Sequence, residues 1–566
     1  MRPYQKRIII VWAITVLVFL VVVVRLFDIQ VIKRGEFVKK ANRIQKRDRT
    51  YVMPRGTIFD RDNEILAMSN ETWSIYSPKR MQSKDLSKIA RLCGASPKKV
   101  GWIVRRIPRS LAEKIEREKI PNINFLPECK RFYPLGEPIG SFLGFVKFED
   151  DAEKIQGLCG IEGAWNKYLA GRSQKIVIEK DGVGSITYTK ERFPEKLCGY
   201  NLSLSISSNI QYLAYKRLKE TCLKYQAKGG VVIVMAVGTG EILASCSWPS
   251  FDPNVYSDWN PSEWKKVEKD SLKNRAISWI TEPGSLLKAV VCAILLQEGV
   301  VKEGDKFFCP GSMEVGGRKI SCVHKHGDQT FRDVLINSCN VGMTQAVQRL
   351  DGKILVDYLK QFGFGDKVGI GLAEEEKGIL PRNKPSELAK SNLSFGYGIG
   401  VTPLQVLMAI STIANQGLLV KPVLVSRVSE GKDYIVKEYY PSVKRRVISC
   451  EVAKQVSDIM IDVVEKGTGV SAKIAGYKIC GKTGTAEKAS PHGYDKDKVV
   501  ASFVGWFPAE DPKVAILVMI DEPQAGVRYG GTIAAPVFRE IAERMIVLYG
   551  IKGSEAGGSG TVGSID

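Results

Sequence analysis

Apolar positions along this chain follow three patterns, and each predicts a different element. The first is an uncharged run, IIIVWAITVLVFLVVVV, covering Ile8 to Val24 with no polar face. Its 17 residues sit at the lower edge for a helix that crosses a bilayer. Arg2, Lys6 and Arg7 precede it, and RLFDIQVIKR follows with no small-residue cleavage site. The run therefore reads as an uncleaved signal anchor, continued as a helical, polar stem from Arg25 to about Arg49.

The second pattern has period two. LSLSI, Leu202 to Ile206, predicts a strand. GGVVIVMAVGTGEILASCSW, from Gly229, predicts a hairpin about Gly-Thr-Gly. ASFVGWFPAEDPKVAILVMIDEP, from Ala501, predicts a second strand–turn–strand. The third pattern is helical: Ile210, Leu213, Ala214, Leu218 and Cys222 share one face behind a Ser/Asn start. PRGTIFDRDNEILA, Pro54 to Ala67, sets turn residues around short apolar runs and reads as structural. Strands near both ends of the second half, with helix-rich sequence between, imply a mostly antiparallel sheet closed by early and late segments and flanked by helices. The expected fold class is α/β. Four parts are expected: residues 1–25 as tail and transmembrane anchor, 26–200 as stem and mixed α+β pedestal, 201–550 as the main domain, and 551–566 as a flexible tail.

A chain of 566 residues exceeds one ordinary core, which agrees with that division. Lys and Arg number 83 against 61 Asp and Glu, a formal charge of +22. Such a surface suits a membrane face or an acidic polymer. No RNP motif, zinc finger or aromatic-interleaved basic run accompanies it, so nucleic acid is not expected. Six basic residues follow the anchor (Arg25, Lys33, Arg34, Lys39, Lys40, Arg43) and three precede it. Counted alone, they put the large domain in the cytoplasm.

Twelve cysteines leave the redox compartment open. Cys309 and Cys322 could close a disulfide loop, could remain thiols, or could join His324 and His326 at a metal; the H-x-H spacing departs from the usual zinc-finger pattern.

The chemistry concentrates in three short motifs. TEPGSLLKAVVCAILLQEG, Thr281 to Gly299, opens an apolar helix with Ser285 and Lys288 three residues apart, hence on one face. S-x-x-K also occurs at Ser96, Ser262 and Ser429, but only the Ser285 copy starts a long apolar helix. A serine hydroxyl needs a base, and a buried lysine can supply one because an apolar wall disfavours its charged form. INSCNVG holds Ser338 and Asn340 as S-x-N. CGKTGTAEK holds Lys482, Thr483, Gly484 and Thr485 on a segment readable as a strand, whose glycines leave an edge open to a peptide. His492, in a polar loop, reads as a bystander.

This ordered trio is similar to that of serine enzymes acting on penicillins and cell-wall peptides. With RLFDIQV, PRGTIFDR, RFYPLGEPIGSFLGFV, GIEGAWNKYLAG and SFGYGIGVTPLQ, the chain resembles the class B penicillin-binding proteins over nearly its whole length. Its C-terminal run resembles the division-specific FtsI/SpoVD branch more than the elongation branch. The resemblance implies a pedestal of the class B dimerisation type and a penicillin-binding transpeptidase domain. It implies a D,D-transpeptidase that cross-links peptidoglycan stem peptides through an acyl-enzyme and is inhibited by β-lactams.

Ser285 would be the nucleophile and Lys288 its base. Ser338 would relay the proton to the leaving D-Ala, Asn340 would hold the donor amide, and Lys482 would supply positive potential. Thr483 and Thr485, about Gly484, would bind the carboxylate, and backbone N–H groups of Ser285 and Thr485 would form the oxyanion hole. No cofactor or metal is expected at that site. An FtsW-type glycosyltransferase and other division proteins are the implied partners. The cell wall lies outside, so the resemblance reverses the orientation suggested by charge: a single-pass protein of the cytoplasmic membrane with its catalytic domain outside. A D,D-carboxypeptidase or β-lactamase, and a penicillin-binding scaffold with little turnover, are the competing readings.

Overall fold

A computed structural model of the chain describes residues 3–94, 97–148, 155–180, 186–187, 197–257, 269–431, 434–490, 493–524 and 526–553. Ser96, Ser262, His492 and the expected tail from residue 554 lie outside the described residues. The apolar run is part of a helix, Pro3–Phe27, exposed from Tyr4 to Phe27. With a π-helical turn, Asp28–Ile32, it forms a segment long and apolar enough to cross a membrane, Tyr4–Ile32. The stem remains helical over Arg34–Gln45. It then becomes a strand, Lys46–Val52, paired antiparallel with Ser173–Lys180, so the expected helix ends four residues early.

A seven-stranded sheet follows. Ile65–Ser77 pairs with Ile58–Phe59, Gly101–Ile107 and Asn124–Phe132, while Asn201–Leu204 runs parallel to Ile58–Phe59 on one side and antiparallel to Val425–Glu430 on the other. One sheet therefore crosses the position-200 boundary expected from sequence. The PRGTIFDR segment is structural, as expected. Asp60 Oδ1 accepts from the backbone N–H groups of Asp62 and Glu64 and closes its own turn. Its Oδ2 accepts from the N–H and hydroxyl of Ser208, at the start of the helix Ser208–Lys224.

Arg55, in the same segment, is 3% exposed. It meets the fully buried carboxylate of Glu162 at 2.7 Å, and Arg131 meets the other oxygen at 2.6 Å. Arg55 also donates to Asn166 Oδ1 and the Ile155 carbonyl, and Arg131 to the Gly56 carbonyl. Burial pushes the Glu162 carboxyl up, but the two guanidiniums outweigh it and hold it below the usual range.

The second sheet has five strands, all antiparallel, in the order Ile242–Trp248, Gly229–Ala236, Val514–Asp521, Gly493–Phe507, Cys480–Ser490. Both hairpins expected from period-two patterning are present, and their strands are neighbours. Alternate side chains serve two cores. Val232, Val234 and Ile516 face Ile210, Leu218 and Phe538 of the helices Ser208–Lys224 and Gly530–Tyr549. Val231, Ile233 and Leu517 face the central helices, including Leu287–Gln297 and Pro403–Ala414.

Replacing Glu162 with Gln would leave two guanidiniums buried without a counter-charge. Glu162→Gln is expected to cost about 3–5 kcal/mol, read as a lower denaturation midpoint of the full chain in detergent. Because the folded-state pKa is depressed, this stabilisation is present above the unfolded carboxyl range and is lost on acidification.

Candidate active site

Ser285 lies in a 3-10 turn, Gly284–Leu286, that feeds directly into the helix Leu287–Gln297. The apolar run buries Leu287 through Leu295, and Lys288 is inside that block at 0% exposure while Ser285 stays half-buried. Burial lowers the Lys288 pKa to about 8, and the nearby thiols of Cys339 and Cys322 act in the opposite direction.

The lysine's partners come from the S-x-N motif. A capping box, Thr330 with Asp333, starts the helix Phe331–Ile336, and a second helix, Asn340–Val347, begins after Cys339. Ser338 sits between them at φ 53°, a left-handed conformation uncommon for a residue other than glycine. The backbone N–H groups of Ser338 and Cys339 hold it there by donating to the carbonyls of Leu335 and Val334. Lys288 Nζ donates to the Ser338 carbonyl at 2.5 Å and to Asn340 Oδ1 at 2.6 Å, and lies 3.3 Å from Ser338 Oγ. Both short bonds go to oxygens that can only accept. They use both hydrogens of a neutral amine and leave its lone pair for a hydroxyl. The Ser285 hydroxyl, one turn away, has no hydrogen bond among the described residues.

Lys482 arrives from the opposite side, on the edge strand Cys480–Ser490. It is fully buried, and its Nζ donates to Ser338 Oγ at 2.9 Å and to the Thr483 carbonyl at 3.0 Å. Burial, reinforced by the charge of Lys288, pushes its pKa far down. Asn340 is engaged at both ends: Oδ1 by Lys288 and Nδ2 by the Ser321 carbonyl, to which it donates at 2.9 Å. Lys288, Ser338, Asn340 and Lys482 thus converge from three segments, with Ser285 one helical turn before Lys288. Gly484 lies over Leu286, where an added Cβ would come 3.0 Å from Leu286 Cγ. Thr485 Oγ1 accepts from the Gly530 N–H. The remaining described S-x-x-K serine, Ser429, is on a strand of the other sheet.

Two positioning residues had no adequate sequence signal. Thr468 shares a 2.6 Å hydrogen bond with the Thr483 hydroxyl; its only mark was a Gly on either side. Gly396, in SFGYG, adopts φ +87°, and a Cβ there would lie 2.0 Å from the Gly284 carbonyl oxygen. Its carbonyl also meets the turn, accepting from the Gly284 N–H. The next residue, Tyr397, accepts from the Glu487 N–H and stacks edge-on with Tyr494 at 4.8 Å, closing the outer end of the edge strand.

A half-exposed serine ahead of a buried amine, with a second amine across a shared hydroxyl, is the apparatus of a serine acyl-transfer enzyme. Residues 230–543 match the penicillin-binding protein transpeptidase domain, and residues 50–204 match the penicillin-binding protein dimerisation domain. The chain belongs to the penicillin-binding protein transpeptidase family. It is 30% identical over 570 residues to stage V sporulation protein D of Bacillus subtilis, covering 97% of this chain and 86% of that protein. It is 30% identical over 535 residues to the peptidoglycan D,D-transpeptidase FtsI of Escherichia coli K12, covering 91% and 87%. Penicillin-binding protein 3 of Mycobacterium tuberculosis, solved in complex with ampicillin, superposes with a TM-score of 0.70 at 25% identity, over 90% of this chain and 98% of that one.

An amine accepts a proton only when neutral, so with Lys288 as the base, acylation by a fluorescent penicillin should rise with pH through about 8 and then level off. The groups facing it are Lys482 and the thiols of Cys322 and Cys339. Gly396→Ala would displace the Ser285 turn and should slow acylation about 100-fold, the scale of an ångström-level misplacement, measured by stopped-flow labelling.

Proposed function

We propose that this chain is a membrane-anchored serine D,D-transpeptidase that cross-links peptidoglycan stem peptides during septal wall synthesis. The observation that carries the reading is the convergence of two buried amines on the Ser338 hydroxyl, with Ser285 one helical turn before the first of them, Lys288. The neutral Lys288 amine takes the Ser285 proton as Oγ bonds to the carbonyl carbon of the penultimate D-Ala. The C–N bond to the terminal D-Ala then breaks, and Ser338, polarised by Lys482, passes a proton to the departing amine. An amine of a second stem peptide attacks the ester, forms the cross-link and returns Ser285 to its hydroxyl. A β-lactam enters the first half of this sequence and remains attached.

The open side of the strand Cys480–Ser490 would receive the donor backbone as an added strand. Thr483 and Thr485 would bind its carboxylate, with Thr468 orienting Thr483. Backbone N–H groups of Ser285 and Thr485 would stabilise the oxyanion, one such donor being worth roughly 2.7–4 kcal/mol. Asn340 has one amide hydrogen left for the donor peptide once Ser321 is served, and its oxygen orients Lys288.

Residues 1–25 would be the cytoplasmic tail and anchor, 26–200 the stem and pedestal, 201–550 the catalytic domain and 551–566 a tail. The catalytic domain would lie outside the cytoplasmic membrane, where anchor and pedestal would meet an FtsW-type glycosyltransferase. The basic stem would then lie against anionic headgroups.

Stable fluorescent-penicillin labelling is expected, with acylation falling about a millionfold in Ser285→Ala, the scale of losing a serine nucleophile. Rapid loss of label would show a hydrolase, and absence of label a scaffold. A C-terminal reporter fusion should be active only outside the cytoplasm; cytoplasmic activity would overturn the topology.

A further inference from the structure

Residues 418–446 form a long hairpin whose outer arm takes no part in the acyl-transfer chemistry. The inner arm, 418–430, is backed by the core: Leu419, Val420, Leu424, Val425 and Val428 are buried. The outer arm, 434–446, pairs with it along its length. Val443–Arg446 joins Leu418–Val420, and Tyr434–Glu438 joins Val425–Glu430. Between them, the Lys421 N–H donates to the Ser442 carbonyl and the Tyr439 N–H to the Ser426 carbonyl. Tyr434–Glu438 is the end strand of the seven-stranded sheet. Every residue of both outer strands is exposed, and from 434 to 446 only Tyr439 is half-buried. A strand that buries neither face gains little beyond its ladder, yet Tyr434, Ile435, Val436, Tyr440 and Val443 all stand in water here. We propose that this outer arm is a docking surface for an acidic glycan, with Tyr434 and Tyr440 stacking on sugar rings and Lys437, Lys444 and Arg445 pairing with the acidic groups along the polymer.

Three observations carry this. The first is charge. Lys437, Lys444, Arg445 and Arg446 face a single acid on the arm, Glu438, and none of the four has an ion pair among the described residues. Burial, then the charges of Arg445 and Lys421, lower the Lys444 pKa, while Glu375 and Asp366 oppose them. A cation cluster of this kind draws in a polyanion.

The second is the tyrosines. Tyr434 and Tyr440 are 68% and 72% exposed. A tyrosine ring is a broad, stiff apolar face with a polar tip, which suits the C–H face of a sugar and its hydroxyls. The Tyr440 hydroxyl donates to the Glu438 carboxylate, and Tyr439 packs edge-on against Trp165 at 5.7 Å, so the arm is held in place.

The third is the strand edge. The register shifts between Val428 and Ser429 and leaves Val436 without a cross-strand partner. Such a bulge, with Lys437 beside it, guards an edge against an added strand. The arm therefore offers side chains rather than backbone, which disfavours strand addition by a partner protein. Its charge would also repel a second copy of itself.

The test is binding of the full chain, in detergent, to polygalacturonate, a chain of carboxylated sugars. Neutral dextran, polyglutamate and phosphatidylglycerol vesicles are run alongside. Polygalacturonate is expected to bind saturably and most tightly of the four, and less tightly as salt rises. The pair Tyr434→Ala with Tyr440→Ala should lower its affinity about tenfold, and so should the triple Lys437→Gln, Lys444→Gln, Arg445→Gln. A control triple, Lys216→Gln, Lys353→Gln, Lys367→Gln, removes the same charge from exposed positions elsewhere and should leave affinity unchanged. Circular dichroism checks folding; if the first triple misfolds, the exposed tyrosine pair decides. Fluorescent-penicillin labelling of the same samples reports on acyl transfer, so either reading can fail without the other. Polyglutamate bound as tightly would point to an acidic protein, and vesicles bound as tightly to a lipid surface. Either result, absence of polygalacturonate binding, an equal loss in the control triple, or no loss in the folded tyrosine pair would overturn the assignment.

Discussion

The structure turns on one electrostatic conflict: two lysines, both fully buried, share a single hydroxyl. Two ammonium groups a hydrogen bond from the same oxygen, with no carboxylate paired to either among the described residues, cannot both keep their protons cheaply. Burial thus lowers the pKa of the Lys288 amine to about 8, and pushes that of Lys482 well down, without needing histidine. Much of the surrounding architecture supplies the low-dielectric setting: an apolar helix behind Lys288, a sheet edge behind Lys482 and a two-helix turn carrying Ser338. Each amine comes from a different part of the chain, so the conflict exists only once all three segments are docked.

The sheet explains how that docking is achieved. Its hairpins come from residues 229–248 and 493–521, and the edge strand that carries Lys482 is paired in register with Gly493–Phe507. A one-residue slip would turn Lys482 to the opposite face and Thr483 inward. Packing of both faces, visible in the alternation of Val231 to Val234 between two cores, prevents that slip.

Elements whose information is local were legible in the sequence. Period-two runs marked the hairpins, the three motifs marked the cluster of Lys288, Ser338, Asn340 and Lys482, and the long apolar run marked the N-terminal helix. Elements defined by distant partners were not. Glu162 is 107 residues from Arg55, and nothing in GIEGAW specifies two arginines around its carboxylate. Gly396 carried no sign of the Gly284 carbonyl it must clear, and Thr468 was one threonine among many. Spacing gave no sign that Cys339, inside S-x-N, would lie beside Cys309 and Cys322, which come from other strands and turns. The stem ended as a strand because Lys46–Val52 pairs with Ser173–Lys180, a tertiary pairing that helical propensity does not register.

The Arg55–Glu162–Arg131 cluster has a consequence for descent with modification. Loss of Glu162 strands two guanidiniums in a dry interior, and loss of either arginine leaves one oxygen of the buried Glu162 carboxylate without its cation. Lineages can leave this arrangement only by coordinated replacement, and every single-step intermediate is less fit to fold. Positions 55, 131 and 162 should therefore travel together through a genealogy, kept as a set by the cost of the first step rather than by any part in chemistry.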